Sequence, residues 1–482
     1  MRALALLLAG AIGVALAPAV ARAQGGDCEL MPGAREARRV AFADGREMVH
    51  ISGPANFACP GGVVIKADSA AGVPSSGEFE LIGKVFYQDS AKVLTADWVR
   101  YIRADAHLYA RGNVDLTDRK SGSRIKGPEL EYFSVTPERP EARAIVPGRP
   151  HATLYQQQTA PSDSAPHPLE IDADLIELLG ENRFVARGQV EMLRGGSKGF
   201  SREAEFDQSS GLMMLTGAAR LEGEGYTLKG ERVEAFLQQE KLREVLARVE
   251  ASLLAEDLDV RAPELRVFFI EGKVERMIAI RGASDSASAA PQPVAVAKDF
   301  RLVGDSIDAL APSEQLERIV AVGNAYGEHA ADSTGASLPT VIAHDWMRGD
   351  TITGFFAPDP HAAAGKGADS TAKANAQKAG EQKSGDQKAG EPKRAKAVLE
   401  RLVAVGEKGN ARSLYRMREK GKESEPPNVN YLVADRIVLK MREGEVKDVE
   451  ADGPIQGMHL QPSGQHGKPG APAPTTPTSG SR

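Results

Sequence analysis

Cysteine and tryptophan are both scarce, with two of each in 482 residues, and aromatic residues make up only 5% of the chain. So few cysteines exclude a disulfide-dense scaffold and a cysteine-rich zinc module. Two tryptophans leave little for the stacked platforms that line sugar-cleaving clefts. An excess of one charge is missing too: 60 Lys and Arg face 66 Asp and Glu, a net of −6, which argues against nucleic acid as a main partner. The nine histidines (50, 107, 151, 167, 329, 344, 361, 459 and 466) are scattered, none at metal-ligand spacing. There is no H-E-x-x-H, no G-x-S-x-G elbow and no phosphate-cradling Gly-rich loop. We therefore expect no enzyme, no cofactor and no metal. Asp345-Trp346-Met347-Arg348-Gly349-Asp350, beside His344, is polar and aromatic enough to suggest a site but reads equally well as a strand and turn. Carboxylates are plentiful, which keeps a polysaccharide-acting β-repeat enzyme with paired acids as an alternative.

Long apolar runs are absent except at the start. Met1-Arg2 carries one positive charge, Ala3 to Ala17 is apolar, and Ala21-Arg22-Ala23 forms a small-x-small cleavage site before Gln24. The run of ~15 residues is shorter than the ~20 a helix needs to cross a bilayer. Residues 1–23 thus read as a cleavable secretory signal, and a periplasmic location is expected. In an oxidising compartment Cys28 and Cys59 can close a loop as a disulfide, for which the chain-entropy estimate is about 3–4 kcal/mol.

Composition marks the joints. Residues 161–168 and 283–293 are short Ser/Pro/Ala linkers, which divides the mature chain into segments 24–160, 169–282 and 294–460. Between His361 and Lys396 no Val, Ile, Leu or aromatic residue occurs, while Gln377-Lys378, Gln382-Lys383 and Gln387-Lys388 recur. That insertion, 361–396, and the Pro/Gly/Ser/Thr-rich tail, 461–482, have nothing to offset ordering entropy and are expected to be disordered.

Elsewhere the signal is period-two alternation centred on glycine. One face reads Phe79, Leu81, Gly83, Val85, Tyr87. The next reads Leu108, Ala110, Gly112, Val114, Leu116; then come Phe184, Ala186, Gly188, Val190, Met192 and Met213, Leu215, Gly217, Ala219, Leu221. Weaker copies surround Gly323 and Gly453. An acidic residue precedes each of the four clear glycines by 14 or 15 positions (Asp68, Asp97, Asp174, Glu203), and reads as an outward polar group or turn partner at a strand start. Glycine in mid-strand weakens pairing, so its recurrence calls for a geometric cause: bulges stacked at one level, which fold a sheet over on itself. Glu231 to Ala255 fits an amphipathic helix nearly as well as strands; its alternation favours strand.

Thr95-Ala96-Asp97-Trp98-Val99-Arg100-Tyr101, Leu108 to Leu116, and Ile125-Lys126-Gly127 before Leu130-Glu131-Tyr132 together resemble the OstA-like family, the periplasmic β-jellyroll domains of lipopolysaccharide transport. The cadence returns at Asp172-Ala173-Asp174 to Met192 and at Val433 to Gly453. The resemblance implies an all-β, antiparallel, folded-sheet jellyroll in tandem repeats. It also implies an apolar groove for the acyl chains of lipopolysaccharide or a related glycolipid. The groove candidates are Phe79, Leu81, Val85, Leu108, Val114, Leu116, Phe184, Val190, Met192, Met213 and Leu215, bent at structural glycines Gly83, Gly112, Gly188 and Gly217. Edge-strand pairing with an inner-membrane extractor and an outer-membrane translocon, or head-to-tail with itself, is the implied mode of assembly. A structural envelope scaffold without lipid cargo is the alternative from a different class.

Overall fold

The computed structural model describes residues 28–59, 62–90, 92–155, 167–180, 183–238, 241–255, 258–282, 290–297, 300–329, 344–358, 397–417, 427–442 and 444–460. The expected signal, the insertion at 361–396, the tail from 461 and most of both linkers lie outside these residues. The chain divides into two compact units, Met1–Pro291 and Gln292–Arg482.

Among the described residues both units are all-β and antiparallel. The first holds β1 Glu29–Leu30, β2 Glu36–Ala41, β3 Glu47–Cys59, β4 Val63–Val73, β5 Glu78–Gln88, β6 Lys92–Ile102, β7 His107–Asp118, β8 Arg124–Phe133, β9 Arg143–Pro147 and β10 His151–Leu154. It continues with β11 Leu169–Asp172, β12 Leu175–Leu179, β13 Arg183–Arg194, β14 Ser197–Asp207, β15 Leu212–Gly223, β16 Tyr226–Gln238, β17 Lys241–Ala255, β18 Leu258–Ile270 and β19 Lys273–Ile280. The second holds β20 Val294–Ala297, β21 Phe300–Val303, β22 Ser306–Leu310, β23 Arg318–His329, β24 Asp345–Pro358, β25 Ala397–Val405, β26 Ala411–Met417, β27 Asn428–Ala434, β28 Arg436–Arg442, β29 Glu445–Asp452 and β30 Gln456–Leu460. The segment Glu231 to Ala255, ambiguous in sequence, forms the end of β16 and all of β17.

In the first unit the long strands β3 to β8 and β13 to β18 pair with their chain neighbours. Between these two runs, each bent strand is replaced by two short ones. β8 pairs with β10 along one half and β9 along the other; β10 continues into β11 and β9 into β12, and both of those pair with β13. One sheet thus passes from residue 124 to residue 194 without a break. Cys28 and Cys59 are joined by a disulfide, which ties the start of β1 to the end of β3.

The bend has a local cause. Every second long strand carries one extra residue at its middle, so the register jumps there: Ser52/Ala55 on β3, Ile82/Val85 on β5, Arg111/Val114 on β7, Arg187/Val190 on β13, Thr216/Ala219 on β15, Arg248/Ala251 on β17 and Val322/Ala325 on β23. At five of these seven the bulge opens on a glycine with positive φ, and the next residue is left-handed as well, for example Gly112 (+72°) and Asn113 (+46°). Extra residues of this kind sharpen twist and bend a strand. In the first unit they align across the sheet and divide it into two wings.

Side chains of opposite wings meet. Tyr226, in the half of β16 paired to Ala255, has its ring centroid 5.2 Å from that of Phe269, in the other half of β18. The Lys92 ammonium, at the head of β6, lies 5.2 Å from the ring centroid of Tyr132, near the far end of β8. The seam between the wings is the core, and the residues facing it alternate with solvent-facing ones along each strand.

Candidate functional site

The seam is shut along most of its length. Of the eleven groove candidates, Phe79, Val85, Leu108, Val114, Leu116, Phe184, Val190, Met192 and Leu215 all face it and are at most 8% exposed. Leu81 and Met213 are half-buried. At these positions, Phe79 apart, the two wings fill each other's space, as in an ordinary packed core.

At the N-terminal end the wings part. A cleft with about 550 Å³ of empty space, its open mouth included, is lined by Val49, Ile51 and Phe57 of β3, Ile65 and Ala70 to Gly72 of β4, Phe79 to Leu81 of β5, and Val99 and Tyr101 of β6, with Pro74 at its rim. Glu80 is the one ionisable acid among them. Two groove candidates, Phe79 and Leu81, therefore reach the cleft, and the others lie deeper in the closed seam. Val49, Ile51 and Phe57 flank Gly53 in a further glycine-centred copy, Val49, Ile51, Gly53, Ala55, Phe57, that marks β3 and that the sequence reading passed over. Ile65 and Val99 share the alternation, and β4 has no such copy.

The four structural glycines sit at the bulges, with φ of +76° (Gly83), +72° (Gly112), +76° (Gly188) and +85° (Gly217). The aspartates before the first three of these glycines, Asp68, Asp97 and Asp174, face solvent as expected, and each also has a specific contact. Asp97 stands in the middle of β6, not at a strand start, and its side chain packs directly against Gly112, where a Cβ would approach its own Cβ to 2.9 Å. Asp68 lies on Gly83 and Asp174 on Gly188 in the same way, as do Asp305 on Gly323 and Asp435 on Gly453. Asn113 Nδ2 donates to Asp97 Oδ2 at 2.8 Å, and Asn324 Nδ2 to Asp305 Oδ2 at 2.9 Å. Gly217 breaks the spacing rule, because Arg202 packs on it, while Glu203 accepts from Arg187 Nε at 3.1 Å. The bulge on β17 has no glycine at all: Val249 and Glu250 stand at φ +63° and +53°.

In the second unit a smaller apolar pocket is lined by Met347, Leu402, Leu439, Met441 and Val446, with His329, Asp345 and Trp346 at one side. Asp345 is 5% exposed, and its Oδ1 accepts from Arg416 Nε at 2.7 Å. Burial pushes its carboxyl up, against the opposing pull of Arg416. The polar segment singled out around Trp346 is thus the first half of β24, with Asp345 inside an ion pair. Among the described residues no group of three His, Cys, Asp or Glu side chains could hold a metal.

No family model matches the chain, and no curated protein matches it.

Proposed function

We propose that the chain binds an amphipathic envelope glycolipid of the lipopolysaccharide class and carries it in outer-membrane assembly, without covalent chemistry. The observation that carries this reading is the cleft at the N-terminal end of the first unit, walled almost wholly by aliphatic and aromatic side chains and open to water. An acyl chain exposed to water costs about 0.8 kcal/mol per CH₂. A slot between two sheet wings removes that cost while leaving sugars and phosphates in solvent. The bent wings and the recurring glycine bulges agree with the jellyroll repeats of the OstA-like family, and an exported, periplasmic chain with a disulfide suits the same role.

The sheet edges fit assembly with neighbours. All six residues of β2 are exposed, and among the described residues it pairs only with β3; all five residues of β30 are exposed, and among the described residues it pairs only with β27. Such edges accept an added strand, which is how an inner-membrane extractor or an outer-membrane translocon would dock.

A photocrosslinking amino acid at Leu81, inside the cleft, captures purified lipopolysaccharide, and the same probe at Arg111, on the outer face, does not. Equal capture from both positions, or none from Leu81, refutes the reading. The closed seam favours a second one, a structural envelope scaffold without cargo. Under it, depletion of the protein leaves surface lipopolysaccharide unchanged, whereas loss of a carrier strands it at the inner membrane.

A further inference from the structure

The cleft stops where the composition of its wall changes. Four strands, β3 to β6, bound it. Next to it stand three buried tyrosines, Tyr87, Tyr101 and Tyr132, exposed by 9%, 5% and 3%. Tyr101 closes the lining of the cleft, and Tyr132 stands two strands further on, at a position paired to Leu108, which is itself paired to Tyr101. Tyr87 lies in the opposite wing, paired to Leu94, and Lys92 joins them from that same wing. It is 3% exposed, and its ammonium lies over the Tyr132 ring. The Tyr87 hydroxyl donates to Asp89 Oδ2 at 2.8 Å, and the Lys92 backbone N–H donates to Asp89 Oδ1 at 2.7 Å. Burial raises the phenols of Tyr87 and Tyr101 above their usual range.

A lysine at this place breaks the local rule. The other buried positions of β6 are Leu94, Ala96, Val99 and Tyr101, all suited to an apolar seam. Burying an ammonium there is unfavourable unless specific contacts compensate it, and one of its contacts, over the Tyr132 ring, crosses from one wing to the other. Positions that break the pattern of their own strand are where function is to be sought.

Resting on the lipid reading, we infer that Lys92, Tyr87, Tyr101 and Tyr132 form the end wall of the cleft and so determine the length of acyl chain it admits. Four strands at a spacing of about 4.8 Å span about 14 Å, enough for a short acyl chain and too little for a long one. Past the wall the seam continues, shut, toward Phe184.

The test measures competition by saturated fatty acids of graded length against a fluorescent fatty acid, with the full chain. For the unaltered protein, affinity rises about fourfold per added methylene until the cleft is filled, and is then flat. Tyr132→Ala opens the wall, so the rise continues to longer chains, while Tyr132→Phe, which keeps the ring, plateaus where the unaltered protein does. An unchanged plateau in Tyr132→Ala, or no plateau in the unaltered protein, overturns the inference. A second measurement does not depend on that variant folding: a photocrosslinker at Val99, inside the cleft, captures a long-chain fatty acid in an otherwise unaltered protein, and one at Phe184, beyond the wall, does not. Capture at both positions overturns the wall and leaves the lipid reading standing; capture at neither overturns both.

Discussion

Replacing Gly112 by alanine tests whether the bulges hold the wings in place. Gly112 has φ +72°, a left-handed conformation that costs an L residue about 1–2 kcal/mol. The new methyl also overlaps the Asp97 carboxylate and lies 2.9 Å from the Asp97 Cβ, with backbone on either side to hold it there. Turning Asp97 away loses its 2.8 Å bond from Asn113, about 1 kcal/mol, and forces a less favourable rotamer, about 0.5–1.5 kcal/mol. Alanine's smaller unfolded-state entropy returns about 0.4–1 kcal/mol. The net expectation is a loss of about 2–3 kcal/mol.

Gly45 supplies the control, since its φ is +82° but a Cβ there meets nothing within 4 Å. Gly45→Ala retains only the backbone penalty, and its net cost is about 1 kcal/mol or less. A two-unit chain need not unfold in one step, so the assay is native-state hydrogen exchange read on the amides of β6 to β8. There a loss of 2–3 kcal/mol appears as exchange about 30- to 150-fold faster. Asp97→Gly combined with Gly112→Ala removes the overlap and recovers more than 1 kcal/mol relative to additivity. Equal effects for Gly112→Ala and Gly45→Ala, or a strictly additive double variant, would refute the claim that the aspartate and glycine are fitted to each other.

Three further outcomes are expected. Val249, β-branched, 59% exposed and at φ +63°, is strained where the other bulges have glycine; Val249→Gly stabilises β16 to β18 by about 0.5–1 kcal/mol in the same exchange assay. Burial raises the Asp345 carboxyl above 3.8, so the folded state keeps a proton that the unfolded state has lost, and this group's contribution to stability weakens as pH rises from about 4 through the folded value. Asp345→Asn therefore matches the unaltered protein in acid and gains on it toward neutrality in pH-dependent denaturation; a loss at neutral pH would mean that the Arg416 pair outweighs burial. Tyr226, its phenol pushed up to about 12 by burial, ionises later than exposed tyrosines in an ultraviolet titration, and Tyr226→Phe removes that late step.

What could be read in advance depended on how local its cause is. The alternation that buries Leu108, Ala110, Val114 and Leu116 is a property of one strand, and the glycines that bend it are marked by their own chemistry. Both were legible. The aspartates were visible only as a spacing, because what fixes them is contact across the sheet: Asp97 meets Gly112 through antiparallel register, and a register is not written in either strand alone. The same limit explains Gly217, where the side chain in contact is Arg202 and the neighbouring acid at the expected spacing points to Arg187. Val249 escaped notice because nothing in a valine announces a left-handed backbone. The site followed the same division. Phe79 and Leu81 were candidates through their glycine; Val49 and Ile51 stand before Gly53 in the same way and could have been found by that signal, whereas Ile65 lines the cleft without one, and Lys92 could be recognised as inward only once its strand was aligned with its neighbours.

The closed seam and the open cleft bear on the lipid reading together. An apolar trough open along its length would leave Val85, Leu108, Val114, Phe184, Val190 and Leu215 in water when no guest was bound, at roughly 1.5–3 kcal/mol for each side chain. A marginally stable sheet does not sustain that many exposures, so a carrier without cargo is expected to shut wherever its wings can reach each other. An acyl chain entering such a seam exchanges one apolar contact for another, so opening is unfavourable in its absence and nearly balanced in its presence. A shut interior is therefore compatible with transport only if some part stays open to begin the exchange. The end next to β2 and β3 is such a part, and the lysine and tyrosines at its inner limit are where the exchange would have to start.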